Sequence, residues 1–176
     1  IRRGLAAIAR AMTASAPLRL RLDSAALADN WRWLDRMSGA AACGAAVKAD
    51  GYGLGARAVV DRLAAAGCRD FFVAIWAEAE ALGAMPAGTS LSVLHGVREE
   101  DMATALASDA RPTLNSREQV IRWRDAGGGV CDVMVDTGMN RLGIAVQDVV
   151  DGLLDGLVID TLMSHLASAD ADIPQN

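Results

Sequence analysis

The chain has 176 residues, of which 52% are hydrophobic and 4% aromatic, and a formal net charge of -5. This length suits one domain, because domains commonly run about 100 to 200 residues, and the apolar content predicts a soluble globular fold. The acidic balance and dispersed arginines argue against nucleic acid as a partner, since phosphate binding needs clustered basic residues. No stretch is long and apolar enough to predict a membrane span.

The three cysteines, Cys43, Cys68 and Cys131, are an odd number without CxxC spacing. That pattern indicates neither a disulfide framework nor a zinc site. We therefore expect a protein of the reducing cytoplasm that binds no metal.

The N-terminal segment "IRRGLAAIARAM" is basic and partly apolar, which raises the possibility of a targeting peptide. Arg10 interrupts its apolar run, however, and no clean cleavage site follows. We expect residues 1–16 to be an extension that is disordered or, before Met12, not native.

A strand and a helix are predicted next. Residues 18–23, "LRLRLD", alternate apolar with basic residues, which is typical of a half-exposed strand. Asp23 is a good helix cap, and Leu27, Trp31 and Leu34 recur at helical spacing on one face, which predicts a helix.

From residue 43 onward, short apolar stretches alternate with amphipathic segments. The amphipathic segments predict helices in "GARAVVDRLAAAG", "WAEAEALGAM", "REEDMATALAS", "SREQVIRWRDAGG" and "AVQDVVDGLL". The predicted strands are residues 43–47, 71–75, 91–94, 111–114, 131–135 and 158–164. Strict alternation of strands and helices predicts a parallel sheet with crossover helices.

Two α/β architectures fit this alternation, the doubly wound open sheet and the (β/α)8 barrel. Lys48, Asp136 and His165 follow different strands, and a barrel gathers such strand ends at one mouth, which favours the barrel. A barrel needs eight strands and about 250 residues. We expect residues 17–176 to form one incomplete barrel domain of about six strand-helix units.

Lys48 ends a buried strand and is followed at once by a glycine-tyrosine-glycine turn. Burial lowers the pKa of a lysine, and the neutral amine condenses with an aldehyde, as a pyridoxal phosphate enzyme requires. Glycines around Tyr52 can bring donors close to a phosphate, although this is not the dinucleotide fingerprint. The alternative is a lysine that reaches solvent at a strand end.

A second cluster, "VMVDTGMNRLGI", contains Asp136 and Arg141. Its Asp-Thr-Gly does not predict an aspartic protease, because those enzymes are all-β and need a second matched aspartate. Asp136 has an equally good structural interpretation as the residue that bonds a turn. Arg141 can bind a carboxylate or a phenolate, or else it pairs with Asp148 at the surface.

A third cluster, "LMSHLASAD", places His165 at a strand end, where it either stacks on an aromatic cofactor or packs in the barrel mouth. His95 and His165 are the only histidines, and neither has a companion at metal-ligand spacing. Ser164 lacks the GxSxG elbow of a serine hydrolase.

The segments "AAVKADGYGLGA", "VDTGMNRLGI" and "SHLASAD" resemble, in order and spacing, the marker segments of bacterial alanine racemase. The stretch "LRLRLDSAALADNWRWL" resembles that family's first strand and helix. The resemblance covers residues 18–176, and three ordered motifs are far more specific than one.

This resemblance implies a fold-type III pyridoxal phosphate enzyme, a homodimer whose subunits combine an N-terminal (β/α)8 barrel with a C-terminal β domain. The first strand would belong to that β domain. Lys48 would hold pyridoxal 5'-phosphate and act as a base, while Tyr52 would contact its phosphate. Arg141 would contact the phenolic oxygen and the substrate carboxylate, and His165 would lie behind the pyridine ring. The activity implied is the interconversion of L-alanine and D-alanine for peptidoglycan precursors.

Two features depart from the family's pattern. The family's second base is a tyrosine of the partner subunit's C-terminal domain, whereas Tyr52 is the only tyrosine here, so we expect the fragment alone to be inactive. Met134 stands where family members usually carry a lysine, often carbamylated. The alternatives are therefore a broader-range racemase or an amino-acid decarboxylase of the same fold, or a non-catalytic truncated barrel.

Overall fold

A computed structural model describes residues 21–171, which form a parallel sheet with helices between its strands. The strands are β1 Ala45–Ala46, β2 Asp70–Val73, β3 Ser90–Val93, β4 Arg111–Leu114, β5 Val130–Asp136, β6 Ile144–Ala145 and β7 Val158–Ser164. The helices are α1 Ser24–Met37, α2 Lys48–Tyr52, α3 Ala56–Ala66, α4 Trp76–Leu82, α5 Met102–Leu106, α6 Arg117–Asp125 and α7 Val146–Val150. A 3₁₀ turn, Glu99–Asp101, leads into α5.

The strands follow one another across the sheet in chain order from β1 to β5, and β7 then pairs with β5. All these pairings are parallel, and the short β6 adds to the carboxyl end of β5. Sequential parallel strands joined by helices are the arrangement of a (β/α)8 barrel. The predicted class, a barrel with six of its strand-helix units, is confirmed.

β1 is shorter than predicted, because the backbone before it makes other contacts. The Trp31 indole donates to the carbonyl oxygen of Cys43 at 3.0 Å, so that oxygen bonds a side chain instead of a neighbouring strand. Gly44 lies so close under Phe72 that a Cβ there would meet the ring at 2.8 Å.

The expectation that Lys48 ends a buried strand is wrong, since Ala45 is only partly buried and Ala46 is exposed, while Val47 after the strand is buried.

α1 begins as predicted, with Asp23 Oδ1 accepting hydrogen bonds from the N–H groups of Ala25 and Ala26. Trp31 is buried against Gly67, the residue that ends α3. Leu34, which the spacing places on the same face as Trp31, is 50% exposed in the turn beyond that contact. The strand predicted for residues 18–23 lies outside the described residues except for 21–23, which form no strand.

The core lies between the helices and one face of the sheet. Strand and helix side chains form one buried cluster that includes Val47, Phe71, Val73, Val93, Leu114, Val133, Val60, Leu63, Trp76, Val120 and Trp123. Burial of such side chains supplies about 25 cal/mol per Å2 of apolar surface, which is the main favourable contribution to folding.

Polar side chains of strands β3, β4, β5 and β7 contact one another across the sheet. Ser92 donates to Asp132 Oδ2 at 2.5 Å, and Arg111 Nε lies 3.8 Å from Asp132 Oδ1. Arg111 also donates to Asp160 and Ser90. Successive strand residues face opposite sides, so these polar side chains lie on the face away from the helices, which in a barrel is the interior. Burial raises the pKa of Asp132 above its ordinary value.

β7 differs from the strands that precede it. Its residues alternate between exposed and partly buried, whereas the centre of β5 is buried throughout. Along residues 21–171, no helix has the length and apolar character needed to cross a membrane.

Candidate active site

Three of the predicted site residues follow the carboxyl ends of strands, on one edge of the sheet. Lys48 comes two residues after β1, Arg141 lies in the loop after β5, and His165 directly follows β7. Because β1 and β7 lie at opposite ends of the strand order, the sheet does not by itself bring Lys48 against His165. In the described chain no hydrogen bond or ion pair joins any of these residues to another.

Residues 48–55, which we call the Lys48 turn, have an unusual backbone. Ala49, Asp50, Gly51 and Tyr52 have φ values of 52°, 52°, 62° and 56°, which are left-handed. A left-handed helical turn costs roughly 1–2 kcal/mol for each non-glycine residue, so contacts from elsewhere must hold it. Position 51 favours glycine, since a Cβ there would meet Ala56 backbone atoms at a tight 3.2 Å.

Asp50 ties the Lys48 turn to the helix that follows it. Its Oδ1 accepts a hydrogen bond from the N–H of Ala56, the first residue of α3, at 2.8 Å. Its backbone oxygen accepts another from the N–H of Gly55 at 2.9 Å. The Asp50 carboxylate thus caps α3, because the N-cap residue of this helix, Gly55, has no side chain to do so. The same bond stabilises the Lys48 turn.

Glu78, which the sequence analysis did not single out, ties the turn to β2. Its Oε1 accepts from the N–H of Ala49 at 2.6 Å. Its Oε2 accepts from the N–H groups of Ala74 and Ile75 at 2.7 and 3.3 Å. The available signal was a glutamate at the third position of a predicted helix, which is typical of capping. That signal predicts the bond to Ile75 and not the bond to Ala49.

The two side chains of the Lys48 turn that are expected to bind cofactor remain available. Lys48 is partly buried, Tyr52 is 64% exposed, and neither side chain has a hydrogen-bond partner among residues 21–171. Lys48 is also the only lysine of the 176 residues. The amine of Lys48 and the phenol of Tyr52, beyond the end of β1, are therefore free to bind a ligand.

Residues 137–143, which we call the Arg141 loop, are organised by Asp136. Its Oδ1 accepts from the N–H groups of Gly138 and Asn140 at 2.9 and 3.1 Å. These bonds favour the charged carboxylate and lower the pKa of Asp136. Of the two interpretations of Asp136, the structure supports the one in which it bonds a turn.

The Arg141 side chain is exposed at the surface of this loop. The alternative pairing with Asp148 is wrong, because Asp148 forms its salt bridge with Arg117 of α6. In the part of the chain that the structure describes, Arg141 has no ion-pair partner. Its guanidinium is free to meet an anion from outside.

His165 is exposed directly beyond β7, so the interpretation in which it packs in the barrel mouth is not supported here. The preceding residue, Ser164, accepts a hydrogen bond from the Thr137 hydroxyl at 3.1 Å. This bond joins the start of the Arg141 loop to the strand end that carries His165. The start of the loop and the end of β7 thus lie side by side.

Met134 is 8% exposed on β5, opposite Met163 of β7. The thioether carries no charge. Met134 therefore contributes only apolar packing at this position.

Residues 22–176 match the sequence family described as "Alanine racemase, N-terminal domain". The chain belongs to this family. The biosynthetic alanine racemase of Agrobacterium fabrum is 40% identical over 164 residues, covering 88% of this chain and 42% of the relative. The alanine racemase of Methylobacterium nodulans is 38% identical over 167 residues, covering 90% and 45%.

Solved structures of alanine racemases have the same fold. The enzyme from Bartonella henselae, which contains covalently bound pyridoxal phosphate, superposes with a TM-score of 0.73 at 30% identity, over 83% of this chain and 46% of that one. The biosynthetic alanine racemase of Pseudomonas aeruginosa gives 0.71 at 28% identity, over 86% and 45%. This chain therefore spans less than half the length of these relatives.

Proposed function

We propose that Lys48 is the covalent attachment point for pyridoxal 5'-phosphate, and that the full-length protein interconverts L-alanine and D-alanine. The observation that carries this proposal is the Lys48 turn, in which the only lysine of the chain directly follows the buried Val47, at the sheet edge that also carries Arg141 and His165. The covalently bound pyridoxal phosphate of the Bartonella henselae enzyme supports it.

The chemistry of this edge fits such a cofactor. An amine suits an aldehyde, a guanidinium suits a carboxylate or phenolate, and a phenol hydroxyl can donate to a phosphate. An imidazole offers a flat face to an aromatic ring. When bound, pyridoxal phosphate delocalises the electrons left behind when a proton leaves the Cα of an amino acid.

Each residue would then have a definite task. Lys48 would hold the cofactor through its aldehyde carbon and, once its amine is free, would accept or return the Cα proton of the substrate on one face. Tyr52 would donate to the phosphate. Arg141 would bind the phenolic oxygen and the substrate carboxylate, and His165 would lie against the pyridine ring.

Racemisation needs a second base on the opposite face. Tyr52 is the only tyrosine of the chain and is assigned to the phosphate. The resemblance to the family implies that the second base is a tyrosine of the partner subunit's C-terminal domain, and we assign it there in the full-length homodimer. We place the reaction in the cytoplasm, where it would supply D-alanine for peptidoglycan.

The test is conversion of L-alanine by the full-length protein with pyridoxal phosphate, followed by chiral chromatography. Lys48→Ala is expected to lower the rate at least about 1000-fold, since it removes both the attachment point and a base. Lys48→Arg, which keeps the positive charge but cannot bond the aldehyde, should lose as much. Undiminished activity in either variant would sink the assignment.

The same assay with other amino acids examines the substrate range. Met134 favours this comparison, because a buried thioether cannot supply the negative charge that a carbamylated lysine carries. Faster racemisation of another amino acid would support a broader-range racemase instead of an alanine racemase. Release of carbon dioxide would support an amino-acid decarboxylase.

A further inference from the structure

Glu78 makes contacts that a helix cap alone does not require. Its Oε2 accepts from Ala74 and Ile75, at the beginning of its own helix, which is an ordinary capping arrangement. Its Oε1 points elsewhere and accepts from Ala49, 29 residues earlier in the chain, at 2.6 Å. One carboxylate therefore bridges the end of β2 and the Lys48 turn.

The N–H of Ala49 belongs to the peptide bond that directly follows Lys48. A hydrogen bond to it fixes the plane of that peptide, and with it the direction in which the Lys48 side chain leaves the backbone. This restraint acts where the backbone enters its left-handed segment, with φ of 52° at both Ala49 and Asp50. Strained backbone of this kind persists only where surrounding contacts determine it.

Glu78 acts through the backbone and not by pairing with the amine. All three of its hydrogen bonds are to N–H groups, and within residues 21–171 no salt bridge joins it to Lys48. The other carboxylate of the turn, Asp50, holds its opposite end against α3. The two carboxylates thus brace both ends of the segment that presents Lys48.

We propose that Glu78 is a positioning residue that aims the amine of Lys48 at the cofactor aldehyde. The proposal rests on the proposed function of Lys48 and adds to it a residue from a different strand-helix unit. Bond formation requires reacting atoms at about 3–3.5 Å with aligned orbitals, and a displacement of about 1 Å can lower a rate 100-fold. Loss of this bridge should therefore slow attachment of the cofactor.

Two variants separate the bridge from the cap. Glu78→Asp keeps a carboxylate that caps Ala74 and Ile75 but is one methylene too short to reach Ala49 as well. Glu78→Gln keeps the length but turns an amide NH2 toward one of the N–H groups. Glu80→Gln, an exposed glutamate on the same helix, is the matched control.

The experiment uses the full-length protein freed of cofactor and then mixed with pyridoxal phosphate. Borohydride reduction at successive times followed by peptide mass analysis gives the rate at which Lys48 becomes modified. Visible circular dichroism per bound cofactor reports the orientation of the attached ring, and melting without cofactor reports stability. Glu78→Asp and Glu78→Gln are expected to modify Lys48 about 10- to 100-fold more slowly and to change the dichroism, while Glu80→Gln matches the unmodified sequence.

The outcomes distinguish this inference from the proposed function. Wild-type rates and dichroism in both Glu78 variants would overturn the positioning role while Lys48 remained the attachment point. A change in melting alone, with normal attachment by the folded protein, would reduce Glu78 to a helix cap. Failure of the wild-type protein to be modified at Lys48 would overturn the proposed function and this inference together.

Discussion

The Lys48 turn and the Arg141 loop lie on the same edge of the sheet but are held in different ways. Glu78 and Asp50 bond the Lys48 turn to two other elements, β2 and α3. The Arg141 loop is bonded to its neighbours at its two ends, by the Thr137 hydroxyl to Ser164 and by the N–H of Gly143 to the Asn115 oxygen. Its middle is bonded only locally, to Asp136 just before the loop and within the loop by the Asn140 side chain. The attachment point is thus braced from outside, and the arginine is carried on a largely self-contained loop.

The difference matches the two kinds of chemistry proposed. A covalent bond forms only when the amine meets the aldehyde carbon at close range and in the right direction. A guanidinium attracts an anion over a longer distance, because a charge interaction falls only as the inverse of separation. Strict positioning is therefore needed at Lys48 more than at Arg141.

The largest effect on this comparison is expected from Gly143→Ala, at the end of the Arg141 loop. Gly143 has a φ of 133°, and a Cβ there would meet the backbone N of Asp136 at 2.5 Å. Strain and overpacking together should lower the free energy of unfolding by roughly 4 kcal/mol, measured by urea titration.

The matched control is Gly138→Ala in the same loop. Gly138 has a similar φ of 137°, but no atom lies within 4 Å of its added Cβ. It should cost only the backbone strain, roughly 2 kcal/mol. Equal losses of unfolding free energy at the two glycines would mean that the end of the Arg141 loop is not packed against β5. The loop would then be held by fewer outside contacts than proposed, unlike the Lys48 turn.

A smaller effect is expected from Asp50→Ala, which removes the tie between the Lys48 turn and α3. Loss of a capping carboxylate costs about 1 kcal/mol, so the midpoint of urea unfolding should fall by a corresponding amount. Asp50→Asn keeps the acceptor oxygen and should lose less than half as much. If both variants behave alike, charge rather than the bond to Ala56 holds the turn.

The smallest effect is expected from Asp136→Asn, and it depends on pH. Two N–H groups lower the pKa of Asp136 below its ordinary value of 3.8. Its charged form therefore stabilises the fold above about pH 4, and this contribution disappears as the pH falls through the lowered pKa. The stability difference between wild type and Asp136→Asn should shrink between pH 6 and pH 3. A constant difference over this range would show that Asp136 does not organise the loop through its charge.

Much of the fold was predictable because its signals are local. The six main strands follow from short apolar runs, and the helix starting after Asp23 follows from its cap. The length of β1 and the exposure of Leu34 were not predictable. They depend on where Trp31 packs, and that contact joins α1 to residues distant in sequence.

In the candidate site too, the positions of residues along the chain were predictable, but contacts between distant elements were not. Lys48, Asp136 and His165 were predicted at the carboxyl ends of different strands, and the structure places them on one edge of the sheet. The alternative in which Arg141 pairs with Asp148 is wrong, because Asp148 pairs with Arg117 of α6, a contact that only the packing of α6 decides.

The sequence by itself determined the alternation of strands and helices, the family and the position of the only lysine, because periodicity and motif spacing are properties of neighbouring residues. Only the tertiary structure decided that the Lys48 turn is left-handed and that Glu78 bonds it from 29 residues away. That bond depends on β1 and β2 lying side by side in the sheet, an arrangement that no local pattern specifies.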